Sequence, residues 1–248
     1  MSRKRLIRVI AGVAMLAILI AGLVFVTSRN AEAQRATMAA AQATPTPPPT
    51  PTPTPKPTPT PTPESDLPDI DIESWEYILA NADNEIGEYA PALATLEGQK
   101  LDERIIDAMK EFVADARAAG VSVYLSSGYR GYDEQSYLYN RKVSQYGEEQ
   151  AKKIVAPPGT SEHQTGLACD ITDKYYEFKD SSLENTELYK WMSEHCWEYG
   201  FIVRYPSDKE EETGIMYEPW HFRYVGEEAA EYIMKNGLCL EEFIELYK

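Results

Sequence analysis

Ser161-Glu162-His163-Gln164-Thr165-Gly166-Leu167-Ala168-Cys169-Asp170, answered about fifty residues later by Glu218-Pro219-Trp220-His221, brings two imidazoles and the Asp170 and Glu218 carboxylates into an acidic chain with three histidines in all. The first stretch predicts a loop that turns at Gly166 and runs into a strand, Leu167 to Thr172, with His163 in the loop and Asp170 partway along the strand. His221 opens a second strand, to Val225, able to pair beside the first. Pro219 opposes a regular helix or ladder, and a bend there brings Glu218 to the same site as His221, which straight alternation would not. Three such groups suffice to hold one zinc ion, and the fourth to take a proton from water bound to it. A catalytic zinc site requires that set: three protein ligands, an open position and an adjacent base.

Working outward, Glu103 to Ala119 carries Ile105, Ile106, Met109, Phe112, Val113 and Ala116 at helical spacing, with Asp102 as N-cap and Gly120 beyond the end. Val121 to Ser127 reads as a strand, Gly128-Tyr129-Arg130-Gly131 as a turn, and Asp133 to about Val143 and Glu148 to Ile154 as helices. Glu187 to Glu198 is helical up to Gly200, and Phe201 to Tyr205 is a short strand. Helices are also expected from about Glu227 to Lys235 and from Leu240 to Tyr247. Helices and short strands without a regular βαβ repeat predict an α+β domain, residues 66–248, with a small, mainly antiparallel sheet flanked by helices.

The N-terminal part has another composition. Arg3, Lys4, Arg5 and Arg8 precede an uncharged apolar run from Val9 to Val26, long enough to cross most of a hydrocarbon core as a helix. The basic flank places that end in the cytoplasm and exports the rest of the chain. Residues 1–30 are therefore read as a transmembrane signal anchor, giving a single-pass protein of the cell membrane with its domain outside the cytoplasm. Cleavage near Ala33, after Ala31-Glu32-Ala33, is the alternative and gives a secreted domain. Residues 31–65 form a linker in which Thr44 to Pro63 is nearly a Thr-Pro repeat. Proline lacks a donor and fixes φ, so this stretch predicts extended polyproline II reaching roughly 60 Å, a stalk.

The first 64 residues carry seven Lys or Arg against two Asp or Glu, so the remainder is more acidic than the whole chain's formal −16. That sign argues against nucleic acid as a partner. Cys169, Cys196 and Cys239 are too few for a disulfide scaffold and too scattered for a Cys-x-x-Cys metal site. A Cys196–Cys239 bridge is open in an oxidising compartment, and three buried thiols is the plainer reading. Cys169 points to the strand face opposite Asp170. His195, mid-helix without comparable context, is read as structural.

Three ordered motifs carry a resemblance over roughly residues 66–248. Ser127-Gly128-Tyr129-Arg130 with Gln135, Ser161-x-His163-x-x-Gly166-x-Ala168-x-Asp170, and Glu218-x-Trp220-His221 are similar to the VanY-type D-alanyl-D-alanine carboxypeptidases, zinc peptidases of bacterial cell-wall metabolism. The resemblance implies a compact α+β fold with the site on the sheet, one Zn2+ on His163, Asp170 and His221, and Glu218 as general base. It places Arg130 in the active site, where a guanidinium fork suits a terminal carboxylate or an oxyanion. Gln135 and Ser161 are implied as hydrogen-bonding partners of the substrate. Tyr129, Tyr217 and Trp220 are candidate pocket walls. The expected activity is removal of the C-terminal D-alanine from peptidoglycan stem peptides by a monomeric domain. An L,D-carboxypeptidase acting on tetrapeptide stems is the rival within the class, with residues 173–186 and 206–216 as the discriminating loops. A non-catalytic wall-binding module of the same fold is the rival outside it, and metal content separates the two.

Overall fold

A computed structural model describes residues 67–248. The anchor and stalk expected before Asp66 lie outside the described residues, and among the described ones no helix is long and apolar enough to cross a membrane. After a 3-10 turn at Trp75–Tyr77 come the first strands, a hairpin of β1 (Leu93–Leu96) and β2 (Gln99–Asp102), which has no counterpart among the elements expected from the sequence. Its two-residue turn places Glu97 at φ 49° and Gly98 at φ 86°, the pair of positive values that a tight hairpin demands. Asp102 ends the hairpin and caps the next element by accepting from the Arg104 amide at 3.0 Å. After one 3-10 turn, α1 (Ile106–Ala118) buries Met109, Phe112, Val113 and Ala116, the face anticipated from their spacing.

Next come β3 (Tyr124–Ser127), α2 (Tyr132–Tyr146), α3 (Glu148–Ile154) and β4 (Ala168–Thr172). They are followed by α4 (Glu187–His195), β5 (Phe201–Val203), the short α5 (Glu210–Thr213) and β6 (His221–Tyr224). Helices α6 (Glu227–Asn236) and α7 (Leu240–Glu245) complete the domain. The strands are a little shorter than their apolar runs suggested. The predicted helix to Glu198 changes to 3-10 geometry at Cys196, where Gly200 then stops it at φ 77°.

β3, β4, β6 and β5 form one antiparallel sheet in that order. Its register decides the site. Cys169 pairs with Phe222, and Phe222 with Val203; all three belong to the main core, where the Phe112 ring lies against Trp191, Tyr199, Phe201 and Phe222. One residue along, Ser127 pairs with Asp170 and Asp170 with His221, so the row that alternates with the core row is polar. A second cluster, with Ile202, Ala229, Ile233, Leu240 and Phe243, packs around α6 and α7 together with Tyr77 from the start of the domain. All three cysteines are buried and free. Cys169 lies in the main core, and Cys239 caps α7 in a reciprocal box with Glu242.

Candidate metal centre and active site

His163 sits in a single 3-10 turn, Glu162–Thr165, that ends at Gly166. Gly166 takes φ 73°, and a Cβ there would come within 2.9 Å of the Asp102 amide, so the turn closes tightly only on glycine. The turn is pinned from several sides. Gln164 donates to the Gly87 carbonyl at 2.6 Å and accepts from the Gly159 amide, while the Thr165 hydroxyl donates to the Glu162 carbonyl at 2.6 Å. The Gly128 carbonyl accepts from His163 Nδ1 at 2.8 Å. A carbonyl only accepts, so the proton is on Nδ1 and the Nε2 lone pair is free. Gly128 is itself wedged against the hairpin: a Cβ there would collide with the Lys100 carbonyl.

His163 Nε2 lies 3.3 Å from Asp170 Oδ1, and His221 Nδ1 lies 3.2 Å from the same oxygen. The three donor atoms fall within 4.8 Å of one another, a grouping able to hold a metal ion among the described residues. Two of them, Asp170 Oδ1 and His221 Nδ1, are buried without a hydrogen-bond partner among the described residues. Orphaned buried polar atoms are costly unless something else satisfies them. Two imidazole nitrogens and one carboxylate oxygen converging on one point fit a zinc ion, with a fourth position left for water.

Behind His221 stands a carboxylate that the sequence motifs did not single out. Glu162 Oε2 accepts from His221 Nε2 at 3.0 Å, which turns Nδ1 towards the centre. Glu162 Oε1 accepts from Arg204 Nε at 2.7 Å and from Arg223 Nη1 at 2.6 Å. Arg204 also forms a fork with both oxygens of Glu241, and Arg223 Nη2 reaches the Glu76 and Ile78 carbonyls. Burial alone would raise the Glu162 carboxyl, but the two arginines and His221 hold it well below the usual carboxylate range. The available signal was local: Arg223 is a charge two residues after His221 in a strand otherwise destined for burial.

The bend at Pro219 is present. Glu218 donates its amide to the Tyr205 carbonyl, and its own carbonyl accepts from the His221 amide at 3.1 Å, leaving Glu218 Oε2 3.6 Å from His221 Nδ1. Burial pushes the Glu218 carboxyl up to about 7. Burial works against a charged His221 as well, but the nearby Asp170 and Glu162 carboxylates outweigh it and lift that imidazole to about 9. Asp170, despite its burial, is held well below the usual range by the imidazoles and by Lys179, which bonds Oδ2.

A cavity of about 300 Å³ opens over this centre. Arg130, Gln135, Ser161 and Trp220 line it, as do Phe178 and Lys179 from residues 173–186 and Ile215 from residues 206–216. Gln135 has both ends engaged: Oε1 accepts from Arg130 at 2.7 Å and Nε2 donates to the Ala156 carbonyl at 2.7 Å. It thus holds Arg130, whose other fork nitrogen reaches Ser127 Oγ at 3.2 Å. Tyr129 and Tyr217 do not line the cavity. The Tyr129 ring lies beside Gly131, and Tyr217 packs edge-on against Tyr189. His195 is away from the cavity as well, tilted against the Trp191 ring with Nδ1 2.8 Å from Glu198.

A histidine on a tight turn and an aspartate and a histidine on paired strands, with a half-buried glutamate beside them and a cavity above, are the parts of a mononuclear metallohydrolase. The chain belongs to the VanY family of D-alanyl-D-alanine carboxypeptidases, whose profile matches residues 98–227. It is 40% identical over 191 residues to a D-alanyl-D-alanine carboxypeptidase of Enterococcus faecalis (strain ATCC 700802 / V583), covering 72% of this chain and 69% of that one. A solved vancomycin-resistance D,D-pentapeptidase VanY variant, from a VanB-type resistance cassette and in complex with Zn(II), matches with TM-score 0.62 and 41% identity, covering 69% of this chain and 99% of that one. The LdcB LD-carboxypeptidase matches with TM-score 0.62 and 36% identity, over 74% and 94%. The chain spans 57% of the length of a Bacillus subtilis (strain 168) relative, YodJ, to which it is 44% identical over 156 residues. These likenesses agree with the α+β fold and its antiparallel sheet.

Proposed function

We propose that the protein is a zinc-dependent D-alanyl-D-alanine carboxypeptidase that trims the C-terminal D-alanine from peptidoglycan stem peptides. The observation that carries this reading is the convergence of His163, Asp170 and His221, two of whose donor atoms are buried and unpartnered, with Glu218 3.6 Å from His221. His163, Asp170 and His221 would hold the zinc, which would supply a Lewis acid and a water of lowered pKa. Glu218 is the general base: it takes the proton from the attacking water and returns it to the departing amine. A carboxyl raised to about 7 exchanges protons near neutrality, which suits both halves of that task. Arg130, held by Gln135 and Ser127, presents its guanidinium at the cavity wall to the developing oxyanion or the terminal carboxylate. Ser161 and Trp220 line the same cavity, Ser161 as a hydrogen-bonding partner for the substrate and Trp220 as a wall.

The likeness to LdcB supports a second reading, an L,D-carboxypeptidase using the same four residues. Incubating the zinc-loaded protein with one peptide ending in D-Ala-D-Ala and with a tetrapeptide stem, then weighing the products, separates the two. Loss of one alanine from the first peptide alone is the expected result; release only from the tetrapeptide selects the second reading, and release from neither defeats both.

The domain works outside the cytoplasm as a monomer, on a single-pass anchor and a Thr-Pro stalk, or free after cleavage near Ala33. The basic residues before Val9, the apolar run to Val26 and the repeat from Thr44 support that placement. Protease added to intact, wall-stripped cells should remove the domain, and a protected cytosolic pool would refute the placement.

A further inference from the structure

We infer that Lys179 is a positioning residue that holds Asp170 as a one-oxygen ligand and so keeps a coordination position open at the metal. The inference rests on the proposed zinc site, though not on its substrate. Asp170 uses its two oxygens differently. Oδ1 faces both His163 Nε2 and His221 Nδ1 and has no hydrogen-bond partner among the described residues, whereas Oδ2 is bonded by the Lys179 ammonium. A carboxylate free to rotate offers a metal one oxygen or both. If both bind, the position that water and the scissile carbonyl need is filled or crowded. A cation on Oδ2 turns that oxygen away with a charge-assisted bond.

The lysine is built into this place. It comes from the segment between β4 and α4, its side chain is only 20% exposed, and its ammonium sits 5.7 Å from the centre of the Trp220 ring. Ring and carboxylate together locate the charge from two directions. Protonated lysine has three donors and no acceptor, so it orients the ligand without competing for the metal. Lys179 also lines the cavity, which makes direct substrate binding the rival role.

The test uses the full chain loaded with Co(II), whose visible absorption weakens as coordination rises from four towards five or six. Lys179→Met keeps the stem and removes the charge; Lys179→Arg restores a cation. The expected result for Lys179→Met is one Co(II) per chain, a weaker visible band, kcat lower by roughly 10–100-fold and little change in KM, the usual scale for groups behind a ligand. Lys179→Arg should recover both band and kcat. An unchanged band in Lys179→Met overturns the inference, and a raised KM beside it assigns the lysine to substrate instead. Loss of metal from that variant also overturns it. The spectrum needs no peptide, so a wild-type protein that binds Co(II) yet cleaves no D-Ala-D-Ala defeats the proposed function and leaves this inference standing.

Discussion

His221 divides two neighbourhoods that contain the same chemical groups in opposite condition. Behind it, Glu162 is buried but surrounded by two guanidinium groups, and each of its oxygens is bonded. In front, Glu218 is half-buried at the cavity wall, Arg204 and Arg223 do not reach it, and loss of solvent raises its carboxyl to about 7. One glutamate is locked in its charged form and the other is poised to exchange a proton. The difference teaches that burial alone does not assign a carboxylate its role; the cations within bonding distance do.

The comparison breaks most severely at the ligands. Asp170→Ala or His221→Ala leaves two donors, which hold zinc poorly, so metal analysis after dialysis should find the variants empty and turnover abolished. Glu218→Gln keeps the shape and loses the base: zinc should stay at one per chain while kcat falls by roughly two to four orders of magnitude. Near-normal turnover by that variant with zinc bound would remove Glu218 from the mechanism.

On the other side of His221 the damage should appear in stability. Glu162→Ala leaves Arg223 without its buried carboxylate and is expected to cost about 3–5 kcal/mol in urea unfolding, the scale for breaking a buried ion pair from one side. Acid sharpens the same point. The folded pKa of Glu162 lies well below its ordinary value near 4.5, so its contribution is complete above that value and is lost as pH falls through the folded one. Stability followed from pH 6 to pH 3 should therefore decline less steeply in Glu162→Gln than in the wild type. The smallest effect is expected at His195→Ala, where zinc content and kcat should both match the wild type. A drop in either would place this outlying histidine in the machinery.

The metal side of this division is legible in the sequence, the supporting side much less so. A loop histidine, an aspartate on a strand and a histidine opening another strand are local signals, and the Pro219 bend can be inferred from the proline itself. Glu162, Arg204 and Arg223 are separated by up to 61 positions, and it is the pairing of β4, β6 and β5 that gathers them. The hairpin escapes a sequence reading for another reason. Leu93–Leu96 and Gln99–Asp102 are only four residues each, and Glu97 tolerates its positive φ because the tight turn after it is completed by Gly98. Tyr129 and Tyr217 adjoin motif residues, which made them candidates, but adjacency in sequence does not fix the direction of a side chain.

The bonds that tie the front of the domain to its end have a consequence for the order of folding. Arg223 reaches back 147 positions to the Glu76 carbonyl, and Asn81 reaches forward 160 positions to Glu241. Contacts this distant in sequence demand loop closure before they stabilise anything, which makes assembly slow and late. A chain emerging N-terminus first can form α1 and the hairpin early, but His221 and its support exist only once the last quarter has arrived. A chain ending before Glu227 should therefore stay open to protease although it contains all three ligands, whereas resistance in such a truncated chain would mean that the centre closes without its far end.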